Sequence, residues 1–307
     1  MKVTKLLTRI LIKLINPKTY ITLCRIKRER KRKKGDVFVD SSLKLYAQIT
    51  PGQFLHYPYF SDPDVNTDDI SRNDIKEAGE NYVRLIIDKI EDRESPVLDV
   101  GCGLGELSNL LHTMGYSPVA LTPDQYQCQC IRKNYPDLEL IESKFEDIDS
   151  GRYGQHFGTI ITAESLQYLK LDRALPLMDS LLKPGGLWII GDYFKLKEKT
   201  SLHGGKQWDQ FVDQIDKSGW EIALQQDITR NILPFIAYCN VLASSLLLPI
   251  IDHSVDWVRR KKPGIFYLVG ETLELLRSEL LKLMDYIDPA VFRGERKYMM
   301  LVLRKAA

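Results

Sequence analysis

The chain has 307 residues, 44% of them apolar and 27% charged, which is long enough to bury the core of one elaborated domain and too apolar for a disordered chain. Its five cysteines, at positions 24, 102, 128, 130 and 239, form no CxxC pair, which argues against a disulfide framework and a structural zinc site. The net charge of +2 hides an asymmetry: residues 1–34 hold 13 Lys and Arg against the one acid Glu29, so the remainder is net acidic.

The first element is amphipathic. Val3, Leu6, Leu7, Ile10, Leu11 and Leu14 share one face of a helical wheel, and Lys2, Lys5, Arg9 and Lys13 the opposite one. "RIKRERKRKK" (25–34) follows. An apolar stripe, a cationic face and a polybasic run suit a helix lying in a membrane interface. A helix packed on the domain and a cleavable transit peptide are the other two readings. No aromatics interleave the basic run, so nucleic acid is not an expected partner. No secretory h-region is visible, and a cytoplasmic protein is expected, with residues 1–34 as its candidate membrane contact. Nothing in the sequence sets an oligomeric state.

Residues 1–40 thus read as a basic N-terminal segment and 41–92 as a polar, helical entry or cap segment. Asp68 or Ser71 is placed to cap the helix that runs through Ile86 and Ile87. Alternation then begins. "PVLDV" (96–100), "SPVAL" (117–121), "LELIES" (138–143), "GTIITAE" (158–164) and "LWIIGDYF" (187–194) read as strands. "GELSNLLHTMG", "DQYQCQCIRKNY" and "DRALPLMDSLL" read as the helices between them. This spacing predicts an α/β fold with a doubly wound, mostly parallel sheet. "QWDQFVDQIDKSG" adds a helix, and "WEIALQQDI" and "KYMMLVLR" two more strands. Between those strands lies "ILPFIAYCNVLASSLLLPII" (232–251), long enough to suggest a membrane span. Its prolines, Asn240, serines and place inside the α/β pattern favour a buried lid helix, within a lid insertion of about 230–290.

"VLDVGCGLGELS" sets Gly101, Gly103 and Gly105 between a strand and a helix, where glycine lets the backbone turn and approach a ligand closely. A dinucleotide fingerprint would place its third glycine where this chain has Glu106. A pyrophosphate at that helix N-terminus would meet the Glu106 carboxylate unfavourably, whereas a cationic sulfonium has no such conflict. The strand end "LTPDQ" (121–125) also lacks the usual ribose-binding acid, so a dehydrogenase is disfavoured. The histidines 112, 156, 203 and 253 show no metal spacing, and no metal is expected.

These segments resemble the class I S-adenosylmethionine-dependent methyltransferases over about residues 50–305. "VLDVGCGLGELS" looks like their first motif and "LLKPGGLWII" like their turn into strand five. "PYFSDPDVNTDDI" resembles the entry segment of cyclopropane-fatty-acid synthases, and "ALTPDQ" their "TLSxxQ". "ITAESLQYL" resembles the equivalent segments of tocopherol and sterol C-methyltransferases, and "SGWEIALQQDITRNILPFI" is similar to the tail of that group. The resemblance implies a seven-stranded Rossmann-like sheet with its last strand antiparallel. It implies S-adenosyl-L-methionine as cofactor, held by Asp99, Gly101, Cys102, Gly103, Gly105, Thr122, Gln125, Lys144, Phe145, Glu146 and Ala163.

By the same resemblance Glu164 and Tyr168 are the candidate catalytic residues, and His56, Tyr57, Tyr59 and Tyr193 the candidate substrate contacts. Gln167 and Tyr168 replace the acid–His pair of cyclopropane synthases, which disfavours cyclopropanation. The expected reaction is methyl transfer to a hydrophobic small molecule, favouring carbon of an isoprenoid, quinone, sterol-like or polyketide acceptor. O- or N-methylation of a natural product is the near alternative. A non-catalytic membrane-surface protein with a vestigial methyltransferase fold is the distant one.

Overall fold

The computed structural model describes residues 54–305. The amphipathic segment and the basic run lie outside them. A short 3-10 turn, Thr67–Asp69, precedes α1 (Arg72–Ile87). Ser71 is the residue that caps α1. Its hydroxyl accepts from the Asp74 N–H, and the Asp74 carboxylate accepts from the Ser71 N–H at 2.8 Å. This reciprocal box satisfies two backbone donors at the helix start.

The predicted alternation follows as β1 (Val97–Val100), α2 (Glu106–Thr113), β2 (Pro118–Leu121), α3 (Gln125–Asn134), β3 (Glu139–Ile141), α4 (Ser150–Tyr153), β4 (Phe157–Ala163), α5 (Leu171–Leu181) and β5 (Leu182–Lys195). Then come β6 (Lys206–Gln207), α6 (Trp208–Lys217), β7 (Trp220–Asp227), α7 (Thr229–Leu242), a π-helical segment (Ala243–Leu247), α8 (Leu248–Lys261), α9 (Pro263–Leu283), α10 (Pro289–Glu295) and β8 (Arg296–Lys305).

Seven strands stand in the order β3-β2-β1-β4-β5-β8-β7, and the two-residue β6 pairs with β5. The pairs from β3 to β5 are parallel, and β8 runs antiparallel to both β5 and β7. Successive residues point to opposite faces, as a strand's two-residue period requires. Leu98, Ile160, Trp188, Ile190 and Leu301 pack on one side with α5 and α6. Val97, Ile161, Ile189 and Met300 pack on the other with α1, α2 and the start of α7. Both faces are covered, which explains why the central strands read as near-continuous apolar runs.

The chain order reverses between β1 and β4. Val100 lies level with Leu121 and Thr162, and Leu121 with Ile141, so the carboxyl ends of four strands open onto one crevice. A reversal of this kind is where open α/β sheets bind ligands.

The apolar stretch 232–251 departs from its expectation. It is helical, but only its start is buried: Ile232, Leu233, Phe235 and Ile236 join the core, while Val241, Leu242, Leu246, Leu247 and Ile250 are exposed. The sheet is not cut, because the excursion leaves after β7 and returns at β8, and those two strands pair directly. Past the π-helical segment the helix has α9 as its chief companion, which covers one side of it. Thr229–Lys261 is the one helix among the described residues long and apolar enough to cross a membrane, and 22% of its apolar window is buried.

Candidate active site

A cavity of about 820 Å³ fills the crevice. The loop after β1 forms its floor. Gly101 has φ +76 and Gly103 φ +58, conformations that side-chain-bearing residues rarely adopt. A Cβ on Gly101 would lie 2.5 Å from the Cβ of Ser165, whose hydroxyl donates to the Val100 carbonyl. Asp99, Gly101, Cys102 and Gly103 line the cavity. Gly105 does not; it serves as the N-cap of α2.

Two acids face this floor. Asp99 is buried and accepts from the Ser108 hydroxyl at 2.7 Å, and burial pushes its carboxyl up to about 6. Burial pushes Glu106, at the first position of α2, up to about 7, with the Tyr135 hydroxyl 3.4 Å away. Among the described residues no cation offsets either charge.

At the end of β2 the polar groups close into a small network. Asp124 is the N-cap of α3 and accepts from the Gln127 N–H at 3.0 Å. The Thr122 hydroxyl donates to Gln127 Oε1 at 2.6 Å and accepts from the Asp124 N–H. Thr122, Asp124 and Gln127 line the cavity, and Gln125 is not among the lining residues. The cap sets this choice, because it turns the third helical residue inward and leaves the first half-exposed. Lys144, Phe145 and Glu146 line the adjoining wall, with Phe145 buried and Glu146 accepting from the Lys170 N–H.

The opposite wall is built on β4. Ala163 ends the strand, and Glu164 follows in the left-handed region at φ +55. Its N–H donates to the Gly191 carbonyl at 2.8 Å. Its carboxylate Oε1 accepts from the Tyr57 N–H at 2.5 Å and from the Tyr298 hydroxyl at 2.9 Å. Burial pushes this carboxyl up to about 8; the two donors act against that shift, and Asp192 adds to it. Asp192 sits behind the wall, accepts from the N–H groups of Leu166 and Tyr193, and is pushed by burial to about 7.

Aromatic side chains complete the wall. His56 is buried, stacked on Tyr82 with ring centres 4.2 Å apart, and its Nδ1 lies 3.1 Å from the Tyr57 carbonyl. Desolvation lowers its pKa to about 4, so the ring is neutral and Nδ1 is the donor. Its Nε2 is buried without a partner, and the residue lines the cavity. Tyr57 and Tyr193 meet edge to face and also line it. Tyr59 does not line it, and its N–H donates to the Ala78 carbonyl. Tyr168 lies at the rim, 62% exposed. Phe235, Ile236 and Cys239 of α7 add an apolar wall.

Four contributors escaped the sequence reading: Gln127, Tyr82, Tyr298 and Asp192. Only Gln127 carried a signal, as a polar residue on the buried side of a helix that "ALTPDQ" opens. Tyr298 lies inside an apolar strand 134 positions from Glu164, and no local pattern joins them.

A model of the methyltransferase domain family matches residues 97–186, from β1 to the turn of β5. The chain carries a methyltransferase domain. It is an S-adenosylmethionine-dependent methyltransferase. An uncharacterised methyltransferase of Oceanobacillus iheyensis is 24% identical over 161 residues, which is 51% of this chain and 70% of that protein. Two solved structures share the fold. The cyclopropane synthase MmaA2 of Mycobacterium tuberculosis has a TM-score of 0.58 at 14% identity, covering 83% of this chain and 91% of that one. The geranyl diphosphate C-methyltransferase of Streptomyces coelicolor A3(2), solved with geranyl diphosphate and S-adenosyl-L-homocysteine, has a TM-score of 0.58 at 12% identity, covering 82% and 89%.

Proposed function

We propose that this methyltransferase transfers its methyl group to carbon of a hydrophobic small molecule of isoprenoid, quinone, sterol-like or polyketide type. Glu164 is the observation that carries the reading: a carboxyl group fixed by two donors in a wall that also holds Tyr57, Tyr193, Phe235 and Ile236.

The donor set fits the cofactor. Asp99 and Glu106 are acids on the floor whose side-chain partners are hydroxyls, and a ligand bearing a sulfonium and an ammonium supplies positive charge there. The Gly101–Gly103 backbone, Thr122, Lys144–Glu146 and Ala163 complete the cradle, with Gln127 taking the role expected of Gln125. When bound, the cofactor supplies an electrophilic methyl group.

Glu164 then acts on the acceptor. Carbon attack from an alkene or electron-rich ring leaves positive charge on the acceptor. In its ionised form, which prevails above about pH 8, Glu164 stabilises that charge and afterwards takes the proton. The aromatic faces of Tyr57 and Tyr193 favour the same cation. The apolar side of α7 suits an acceptor with a hydrocarbon body. His56 Nε2 favours a second reading, in which an acceptor O–H or N–H is held there and methylated.

Incubation of the full chain with isotope-labelled cofactor and cell lipids, read by mass spectrometry, tests the proposal. The expected product gains one methylene on carbon and resists hydrolysis. Glu164→Gln should bind S-adenosylhomocysteine within a few-fold of the parent while kcat falls by about 100-fold or more. Full activity in that variant would remove Glu164 from the chemistry.

A further inference from the structure

The hairpin of α8 and α9 carries an exposed apolar surface that the methyl-transfer site does not use. Leu246 of the π-helical segment precedes Ile250 and Trp257 of α8, and Leu268, Leu275 and Leu283 run along one stripe of α9, all exposed. Six exposed large apolar side chains on one helical hairpin are more than the scattered single ones an ordinary surface carries, and such clusters mark docking sites. The turn between the helices tells which kind. "WVRRKKPGIFY" (257–267) holds four consecutive cations and no acid, between Trp257, 51% exposed, and Tyr267, 88% exposed. Asp252, Asp256 and Glu274 nearby are paired with Arg277 or Arg259. Lys261 and Lys262 make no ion pair among the described residues.

We propose that this hairpin docks into the interface of an anionic lipid bilayer, with Trp257 and Tyr267 at headgroup depth and Lys261 and Lys262 on the lipid phosphates. Aromatic side chains beside basic ones, over an apolar stripe, match that layer in both polarity and charge. A second copy of the chain would bring the two cationic turns together or leave them without a partner. The helix that carries the stripe begins in α7, whose Phe235, Ile236 and Cys239 line the cavity, so docking sets the cavity wall beside the lipid. The proposal does not depend on which acceptor is methylated.

Trp257 is its own reporter, because Trp188 and Trp220 are buried and Trp208 is covered by Lys297. The full chain is mixed with phosphatidylcholine vesicles, with and without phosphatidylglycerol. Anionic vesicles should shift the tryptophan emission to the blue, and bromine-labelled lipid should quench it. Trp257→Phe should still bind but lose both signals. Lys261→Ser and Lys262→Ser should each weaken binding about fivefold. Failure to bind anionic vesicles overturns the proposal, as does binding in which Trp257 is not quenched. A blue shift that follows protein concentration without vesicles assigns the surface to a second copy and also overturns it.

Discussion

The Tyr298 hydroxyl donates to Glu164 Oε1 at 2.9 Å and stands 2.8 Å from the Tyr82 hydroxyl, which links the reaction wall to α1 and the antiparallel strand β8. Glu164 has a left-handed backbone, a conformation that costs about 1–3 kcal/mol and persists only where the surroundings hold it. The Tyr57 N–H, the Tyr298 hydroxyl and the Gly191 carbonyl do so here.

Tyr298→Phe should therefore keep the packing and lose the donor. That donor favours the ionised form of Glu164, so its removal raises the carboxyl further above about 8. We expect kcat/KM at neutral pH to fall by roughly tenfold and its pH midpoint to move upward, with cofactor affinity unchanged. A pH–rate profile identical to the parent's would show that Tyr298 is only a core residue.

The buried acids set a pH dependence of stability. Glu106, Glu164 and Asp192 hold protons to about 7, 8 and 7, well above their ordinary values of 4.5 and 3.8. Between pH 6.5 and 8 the folded protein retains protons that the unfolded chain has released, so stability falls as pH rises. His56 acts in the opposite sense, but only below its unfolded value of 6.5. The thermal midpoint of the ligand-free protein should drop across this window, and S-adenosylhomocysteine should not abolish the drop at Glu164. A midpoint that climbs with pH would contradict the burial of these carboxyls.

Gly103→Val should abolish cofactor binding. Its Cβ would meet Leu55 at 3.2 Å, and φ +58 strains any β-branched residue. Calorimetric titration with S-adenosylhomocysteine should show at least a tenfold loss of affinity, with the far-ultraviolet circular dichroism retained. Normal affinity would place the ligand elsewhere.

Gln127→Ala and Gln125→Ala separate the two candidates at the end of β2. Gln127 lines the cavity and accepts from Thr122, so its loss should weaken cofactor affinity by about tenfold. Gln125→Ala should leave affinity unchanged. The reverse pattern would restore the assignment read from "ALTPDQ".

The sequence by itself determined the sheet and the loop. Short apolar runs alternating with segments of helical period, and glycines at 101, 103 and 105, need no partner elsewhere to be recognised, because run length, helix period and glycine's freedom at positive φ are local properties. For the same reason Ser71 was in view as a cap and Glu164 as the acid at the end of β4. The motif could not resolve Gln125 from Gln127, since the difference is a rotation of two residues about a helix whose start is fixed by the Asp124 cap.

Tertiary structure decided the rest. It brought Tyr298 and Tyr82 to Glu164 across 134 and 82 positions, withdrew Tyr59 and Gly105 from the cavity, and left half of the apolar 232–251 stretch exposed. Apolar composition shows that a segment has surface to bury; what covers it depends on which elements the fold places beside it, and among the described residues α9 is the chief cover of α8.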